Sequence, residues 1–271
     1  MSRQEITSRQ NPRVKNAARL RDGRQRAKQG RFVIDGVREI GRALDEGISI
    51  QEAFICPPLC GSLASKELVR RLDNSAGVVA EVPPEVFEKL AFGARSDGVV
   101  VIAATPERTL DQLALPERPL VAVLEGLEKP GNIGAILRSA DGAGLDAVIV
   151  VNPATDLFNP NTIRASVGTV FGKQVCVATT SEAIAALRQW QVAIVATRPD
   201  AERLYTDVDY RHQGTAIVLG SESEGLSAAW NQADVISVHL PMQGIADSLN
   251  VSNTAAILFY EARRQRASQY E

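Results

Sequence analysis

Histidine and cysteine are scarce in this chain of 271 residues: there are two histidines, His212 and His239, and three cysteines, Cys56, Cys60 and Cys176. Chemistry that hands a proton to an imidazole base therefore has little to draw on. His239 sits in an apolar strand pattern beside Leu240 and reads as structural. The Cys56-x-x-x-Cys60 spacing has no second ligand pair nearby, which excludes a zinc site. The thiols read as plain buried or half-buried groups in a reducing cytoplasm. No apolar run approaches the ~18 residues of a membrane span. The opening MSRQEITSRQ lacks an apolar core, so no signal peptide is expected there. Glycine patterns fall short as well. Gly131-x-x-Gly134 is too short for a dinucleotide fingerprint. Gly168-x-x-x-Gly172-Lys173 has the wrong spacing for a P-loop, and Gln174 replaces the needed hydroxyl. Ser221-Glu222-Ser223-Glu224-Gly225 lacks the first glycine of a nucleophile elbow. These failures weaken oxidoreductase, nucleotidase and hydrolase readings.

What is present describes a soluble globular protein: 45% hydrophobic and 23% charged residues, with length enough for two domains. The net charge of −2 hides an asymmetry. Arg3, Arg9, Arg13, Lys15, Arg19, Arg21, Arg24, Arg26, Lys28 and Arg31 crowd the start of the chain against Glu5 and Asp22. Such one-signed crowding is the footprint of phosphate contacts, with Arg13, Lys15, Arg19 and Arg24 as candidates to meet nucleic acid. The alternative is a solvated basic helix with no partner.

Hydrophobic periodicity predicts one helix or two short ones over residues 8–29, with Pro12 near the first turn. A strand at 31–35, a helix at 36–47, a strand at 50–56 and a helix at 63–72 follow. A strand at 77–82, a helix at 84–91 and a β-branched strand at 98–104 complete an α/β domain over residues 1–104. Residues 105–118 are rich in proline and charge and read as a linker, with room for a helical turn at 110–115. Residues 119–271 carry continuous apolar runs expected of strands covered on both faces, at 120–124, 147–151, 175–177, 192–197, 216–219 and 235–240. Helices are expected between them at 132–142, 162–171, 181–189, 226–232 and 248–266. Pattern alone gives a doubly wound parallel sheet of Rossmann type, and the prior against a knot is strong.

Three stretches of the second half carry chemistry. Leu124 to Gly144 contains Asn132-x-Gly134-x-x-x-Arg138-Ser139-Ala140; Ile217 to Leu226 contains Gly220-x-Glu222-x-x-Gly225; Asp234 to Asn253 contains Pro241-Met242 and Ser248-Leu249-Asn250-Val251-Ser252. The last runs from strand through loop to helix, the place where open α/β sheets hold ligands, and Asp247 or Ser248 is placed to cap the helix. In that order the three stretches resemble the SpoU/TrmH family of RNA 2'-O-ribose methyltransferases, of the SPOUT superfamily. The first hundred residues, best over FVIDGVREIGRALDEGISIQEAFIC, resemble an L30e-like substrate-binding domain.

The resemblance implies a trefoil-knotted parallel-sheet (SPOUT) domain preceded by a smaller α/β domain that grips RNA. The knot would form by threading residues around Pro241–Val251 through a preceding loop. It implies S-adenosylmethionine as methyl donor, no metal, and a homodimer whose site is shared between subunits. Arg138, off the buried stripe of Ile133, Ile136, Leu137 and Ala140, is implied to act on the target nucleotide in the partner's site. A guanidinium holds its proton tightly, so binding the neighbouring phosphate is the safer role than general base. Asn132 is read as a helix cap that also steadies Arg138 or RNA, and Glu222 as an orienting carboxylate. Ser248 and Asn250 match positions near donor and substrate. Gly220, Leu240 and Leu249 match donor-binding positions, with Thr197 a weaker candidate and Arg164 an RNA-side one. The apolar helix Val251–Tyr260 is the candidate dimer face. Ribosomal RNA is the expected substrate, in the cytoplasm. The alternatives are a tRNA 2'-O-methyltransferase and a non-catalytic RNA-binding or ribosome-assembly protein of the same fold.

Overall fold

The computed structural model describes residues 3–92 and 97–267. Residues 1–2, 93–96 and 268–271, which belong to the two expected domains, lie outside the described residues. In chain order the first elements are β1 (Gln4–Glu5), α1 (Pro12–Arg19), α2 (Gly23–Gln29), β2 (Arg31–Asp35), α3 (Val37–Asp45) and β3 (Ile50–Ile55). Next come α4 (Leu63–Ser75), β4 (Val78–Glu81), α5 (Pro84–Leu90), β5 (Val99–Ala104), β6 (Leu120–Glu125), α6 (Pro130–Ala143) and β7 (Ala147–Val151). The chain closes with α7 (Pro160–Ala165), β8 (Val175–Ala178), α8 (Thr180–Gln189), β9 (Ala193–Thr197), β10 (Arg203–Leu204), β11 (Thr215–Leu219), β12 (Val235–His239) and α9 (Val251–Ala267).

These elements form two compact units. One comprises Met1–Glu107 together with Asp156–Phe171, the other Arg108–Thr155 together with Gly172–Glu271. In the first, a five-stranded mixed sheet runs β1-β4-β3-β5-β2. Its spine is the β-branched run of β5, antiparallel to both β2 and β3. The basic N-terminal stretch resolves into two helices. Asn11 accepts from the Arg13 amide and Pro12 presets the first turn of α1. Asp22 then accepts from the Gln25 amide and starts α2 afresh.

Residues 156–171 fall inside the stretch expected for the second domain, yet they pack within this first unit. Phe158 stacks on Phe32 with ring centroids 4.5 Å apart, and Phe171 lies 6.0 Å from Phe32. Asp156 accepts a forked pair of bonds from the buried Arg26 guanidinium, at 3.0 and 2.5 Å. The helix expected over 162–171 stops at Ala165, because Val167 and Gly168 both adopt positive φ, 57° and 87°. For a β-branched valine that backbone carries about 1–2 kcal/mol of strain. Arg42 holds it in place by donating to the Val167 carbonyl at 2.7 Å.

The second unit is a seven-stranded sheet, ordered β10-β12-β9-β11-β6-β7-β8 and parallel in every ladder. β6, β7 and β11 are buried along their whole length, as their apolar runs require. The order reverses between β6 and β11, so their carboxyl ends open a crevice. α9 packs against α6 beside it. Leu110, Leu113 and Leu115 of the expected linker pack on this unit's core, with a 3-10 turn at Leu110–Gln112. The helix expected over 226–232 is only a 3-10 turn, Ala228–Trp230, whose Trp230 is buried. Among the described residues no helix is long and apolar enough to cross a membrane.

The Phe32–Phe158–Phe171 stack predicts that Phe171→Ala destabilises the first unit by about 3–5 kcal/mol. Urea unfolding followed by far-ultraviolet circular dichroism checks it. A loss below about 0.5 kcal/mol, the range of ordinary surface changes, would show that the segment is not part of that core.

Candidate active site

Strand β11 ends at Leu219, and the chain turns back at once. A Cβ on Gly220 would overlap the carbonyl of Gly225, so no other residue fits there. Ser221 and Gly225 exchange two backbone hydrogen bonds of 3.2 and 3.0 Å, and Gly225 takes φ +67°. This pinched loop lifts Glu222 to its tip.

Glu222 gathers two other stretches of chain, one holding Lys129 and Asn132 and one holding Asn250. Its Oε1 accepts from Asn132 Nδ2 at 2.9 Å and from Asn250 Nδ2 at 2.6 Å. Its Oε2 is ion-paired with Lys129 Nζ. Lys129 holds the carboxyl below the usual glutamate range; slight burial opposes this, while Asn132 and the Val251 amide add to it. Glu222 is therefore an ionised acceptor at neutral pH. In return it raises the Lys129 ammonium.

The two asparagines reach this node by routes the sequence pattern did not give. Asn132 is not a cap. Pro130 occupies the first helical turn and moves the start of α6 back to Lys129, so Asn132 projects from the first turn with its side chain free to donate. The cap of α9 is Asn250 itself, not Asp247 or Ser248. Its Oδ1 accepts from the Ser252 amide at 2.9 Å and hydroxyl at 2.6 Å while its Nδ2 serves Glu222.

Beside the node runs an open cleft. Gly220, Leu240, Leu249 and Thr197 all line it, with Ser248 and Glu222 at one side. Leu219, Val238, Leu240, Leu249 and Val251 give it apolar wall, and Arg198, His239 and Asp247 line it too. Thr197 does not offer its hydroxyl, which donates to the Val218 carbonyl at 3.0 Å. Ser248 is exposed and its hydroxyl has no hydrogen-bond partner among the described residues. His239 also lines the cleft, its Nδ1 lying 3.0 Å from the Arg203 carbonyl, which fits a structural tether.

Arg138 stands apart. It is exposed on α6, six residues beyond Asn132 and so turned well away from it. It has no hydrogen-bond or ion-pair partner among the described residues. Ile133, Ile136, Leu137 and Ala140 form the buried stripe as expected. The structure thus joins Asn132, Glu222 and Asn250, sets Ser248 in the neighbouring cleft, and leaves Arg138 facing solvent.

In the first unit the basic candidates divide. Arg13 donates to Glu52 at 2.9 Å and to Gln4 at 2.7 Å. Arg164 lies 4.9 Å over the Phe92 ring and 3.4 Å from Asp35. Others of the cluster are also spent internally: Arg3 on Asp73 and Glu81, Arg21 on three carbonyls, and Arg26, only 4% exposed, on Asp156. Lys15, Arg19, Arg24 and Lys28 are exposed and have no acidic partner among the described residues. They form two like-charge pairs at i,i+4, a spacing that weakens a helix unless something neutralises it.

Lys129 and Glu125 were not singled out by the sequence reading. The signal for Glu125 was a carboxylate closing an otherwise apolar strand, LVAVLE; that for Lys129 was its place next to Pro130. Among the described residues no group of three or more His, Cys, Asp or Glu side chains is arranged to hold a metal ion. All three thiols are buried and unpaired, and burial pushes Cys176 up to about 12.

Comparison with known proteins places this geometry. Residues 11–101 match the model of the MRM3-like substrate binding domain. A 23S rRNA (uridine(2479)-2'-O)-methyltransferase of Streptomyces viridochromogenes is 31% identical over 257 residues, 93% of this chain and 88% of that one. A crystal structure of an RNA 2'-O ribose methyltransferase superposes with a TM-score of 0.82 at 44% identity, covering 97% of this chain and 99% of the other. An AdoMet-bound rRNA methyltransferase from Sinorhizobium meliloti gives 0.84 at 29% identity, covering 96% and 97%. Residues 119–260, which hold the Glu222 node and its cleft, match the model of the SpoU rRNA Methylase family, and the chain belongs to that family.

Proposed function

We infer that the protein transfers a methyl group from S-adenosylmethionine to a ribose 2'-hydroxyl of ribosomal RNA. The observation that carries this reading is the Glu222–Asn132–Asn250 node set at the edge of an apolar cleft. The relatives support it, since those compared act on rRNA or RNA ribose and one holds AdoMet.

The cleft fits the donor. Leu219, Val238, Leu240 and Leu249 offer apolar walls to an adenine, and Gly220 lets the backbone come close where any side chain would block it. The donor supplies a methyl group already activated by its sulfonium charge, so positioning can carry much of the rate without a metal. The chain's own residues then have distinct tasks. Glu222 fixes the two asparagine amides, and the Asn250 cap fixes the start of α9. Ser248, with its hydroxyl free, meets the substrate ribose. Arg138, a cation with no partner of its own, binds the phosphate beside the target nucleotide and aligns the hydroxyl.

Arg138 points away from the node of its own chain, so it serves the site of a second copy. Ile257 and Tyr260 on α9, 37% and 53% exposed, belong to the face through which two copies join. The first domain, residues 1–104, grips RNA through Lys15, Arg19 and Arg24, with Arg13 and Arg164 behind them, and residues 119–271, apart from the 156–171 segment that packs within the first unit, form the methyltransferase domain beyond the 105–118 linker. The segment Pro241–Val251 threads a preceding loop to make the trefoil knot of the superfamily. The protein works in the cytoplasm, where rRNA is found.

Radiolabelled donor offered with unmodified rRNA and tRNA should label rRNA, at a nucleotide resistant to alkaline cleavage. Arg138→Ala should lower turnover by about 10²-fold. Label in tRNA alone would keep the chemistry and overturn the substrate. Replacing Lys15, Arg19, Arg24 and Lys28 with glutamine should weaken RNA binding and reduce the salt slope by about 0.7–0.9 for each phosphate no longer neutralised. An unchanged slope in filter binding would move the RNA surface elsewhere. Sedimentation at micromolar concentration should give a dimer; a clean monomer would end the shared-site reading.

A further inference from the structure

We propose that Glu125 is a positioning residue for the catalytic loop, a buried carboxylate that sets the height of Glu222 and the donor-side wall through Ser227. The proposal rests on the reading of Glu222 and the cleft given above.

Glu125 is the last residue of β6 and only 6% exposed. No cation pairs with it among the described residues. Its Oε2 accepts from the Ser227 amide at 2.8 Å. Its Oε1 accepts from the Ser227 hydroxyl at 3.0 Å and from the Thr180 hydroxyl at 2.7 Å. Thr180 in turn accepts from Asn152 Nδ2 at 2.8 Å. Asn152 follows β7 directly and takes φ 45°, a left-handed backbone that asparagine tolerates better than most. Donors from two segments therefore end on one acceptor at the carboxyl edge of the sheet, and a third segment reaches it through the Thr180 hydroxyl.

A buried carboxylate without a counter-charge is costly, and sequences keep one only where its donors are well placed. Burial pushes the Glu125 carboxyl up, but the donors of Ser227 and Thr180 outweigh burial and hold it below its ordinary range. It is an ion that cannot donate, so every hydroxyl around it is forced to point inward.

The consequence for the site is mechanical. The loop from Gly220 to Ser227 is fastened at one end by β11 and at the other by Glu125. Between them Ser221 and Gly225 are closed on each other, and Gly225 lies against Gly220 with no room for a methyl group. A shift of Ser227 has no slack to absorb it. It must move Gly225, then Gly220 at the cleft wall, and with them Glu222 at the tip.

The test is Glu125→Gln, with Ser227→Ala as a milder variant that keeps the backbone donor and should fold if the first does not. In hydrogen exchange of the free protein, segment 220–227 should exchange about tenfold faster in the variant, with 147–151 unchanged. By calorimetry the donor should bind about tenfold more weakly, since its wall has moved. Turnover should fall by about tenfold in the wild-type background yet by under about twofold when Glu222 is already glutamine, as residues acting through one another are not additive. Equal loss in both backgrounds, or faster exchange spread over 120–124 and 147–151 as well, would reduce Glu125 to a structural residue and overturn the proposal. No change in loop exchange and donor affinity would also overturn it. If Glu222→Gln alone keeps full turnover, the orienting role given to Glu222 fails, and Glu125 is judged by loop exchange and donor affinity alone.

Discussion

One ionised carboxylate joins stretches of chain that lie 90 and 28 residues away from it, at Asn132 and Asn250. Most of the second unit can be read as the means of bringing them together. The parallel sheet places β6 beside β11, so the loops leaving both strands share an edge. Pro130 starts α6 early enough to aim Asn132 outward, and Asn250 caps α9 while reaching back. Glycine at 220 allows a loop tight enough to hold Glu222 still. Replace the carboxylate with a neutral group and the ion pair to Lys129 goes, along with the reason for two amides to face one point.

The sheet was legible because its strands are simple. Runs such as AVIVV and VVVIAA have no other home than a buried strand, and six strands of the second half were found within a residue or two of their ends. The site was legible through motif order. Where reading failed, the causes were local and short-ranged. Asn132 resembled a cap until Pro130 claimed the turn before it. The helix expected through Phe171 broke at Val167, because a bond from Arg42, far off in sequence, holds a backbone that valine would not choose. The two-residue strands β1 and β10 carry too little pattern to be seen.

Charge was legible only in bulk. The basic crowd at the start of the chain counts as one feature in sequence and becomes two in space. Arg3, Arg13, Arg21 and Arg26 serve as internal fasteners for carboxylates and carbonyls. Lys15, Arg19, Arg24 and Lys28 keep their charge for solvent, or for a polyanion. Composition cannot separate the two groups, because the acidic partners lie 39 to 130 residues further on.

The aromatic stack of Phe32, Phe158 and Phe171 bears on the order in which the protein is made. A chain emerging from the ribosome folds domain by domain from its N-terminus as a rule. Here the first unit, though begun at once, lacks two of its three stacked rings until residue 158 has been synthesised and the last until residue 171. By then β6 and β7 of the second unit are already out. The unit translated first is thus not the first that can be finished, and no single cut of the gene yields both units whole.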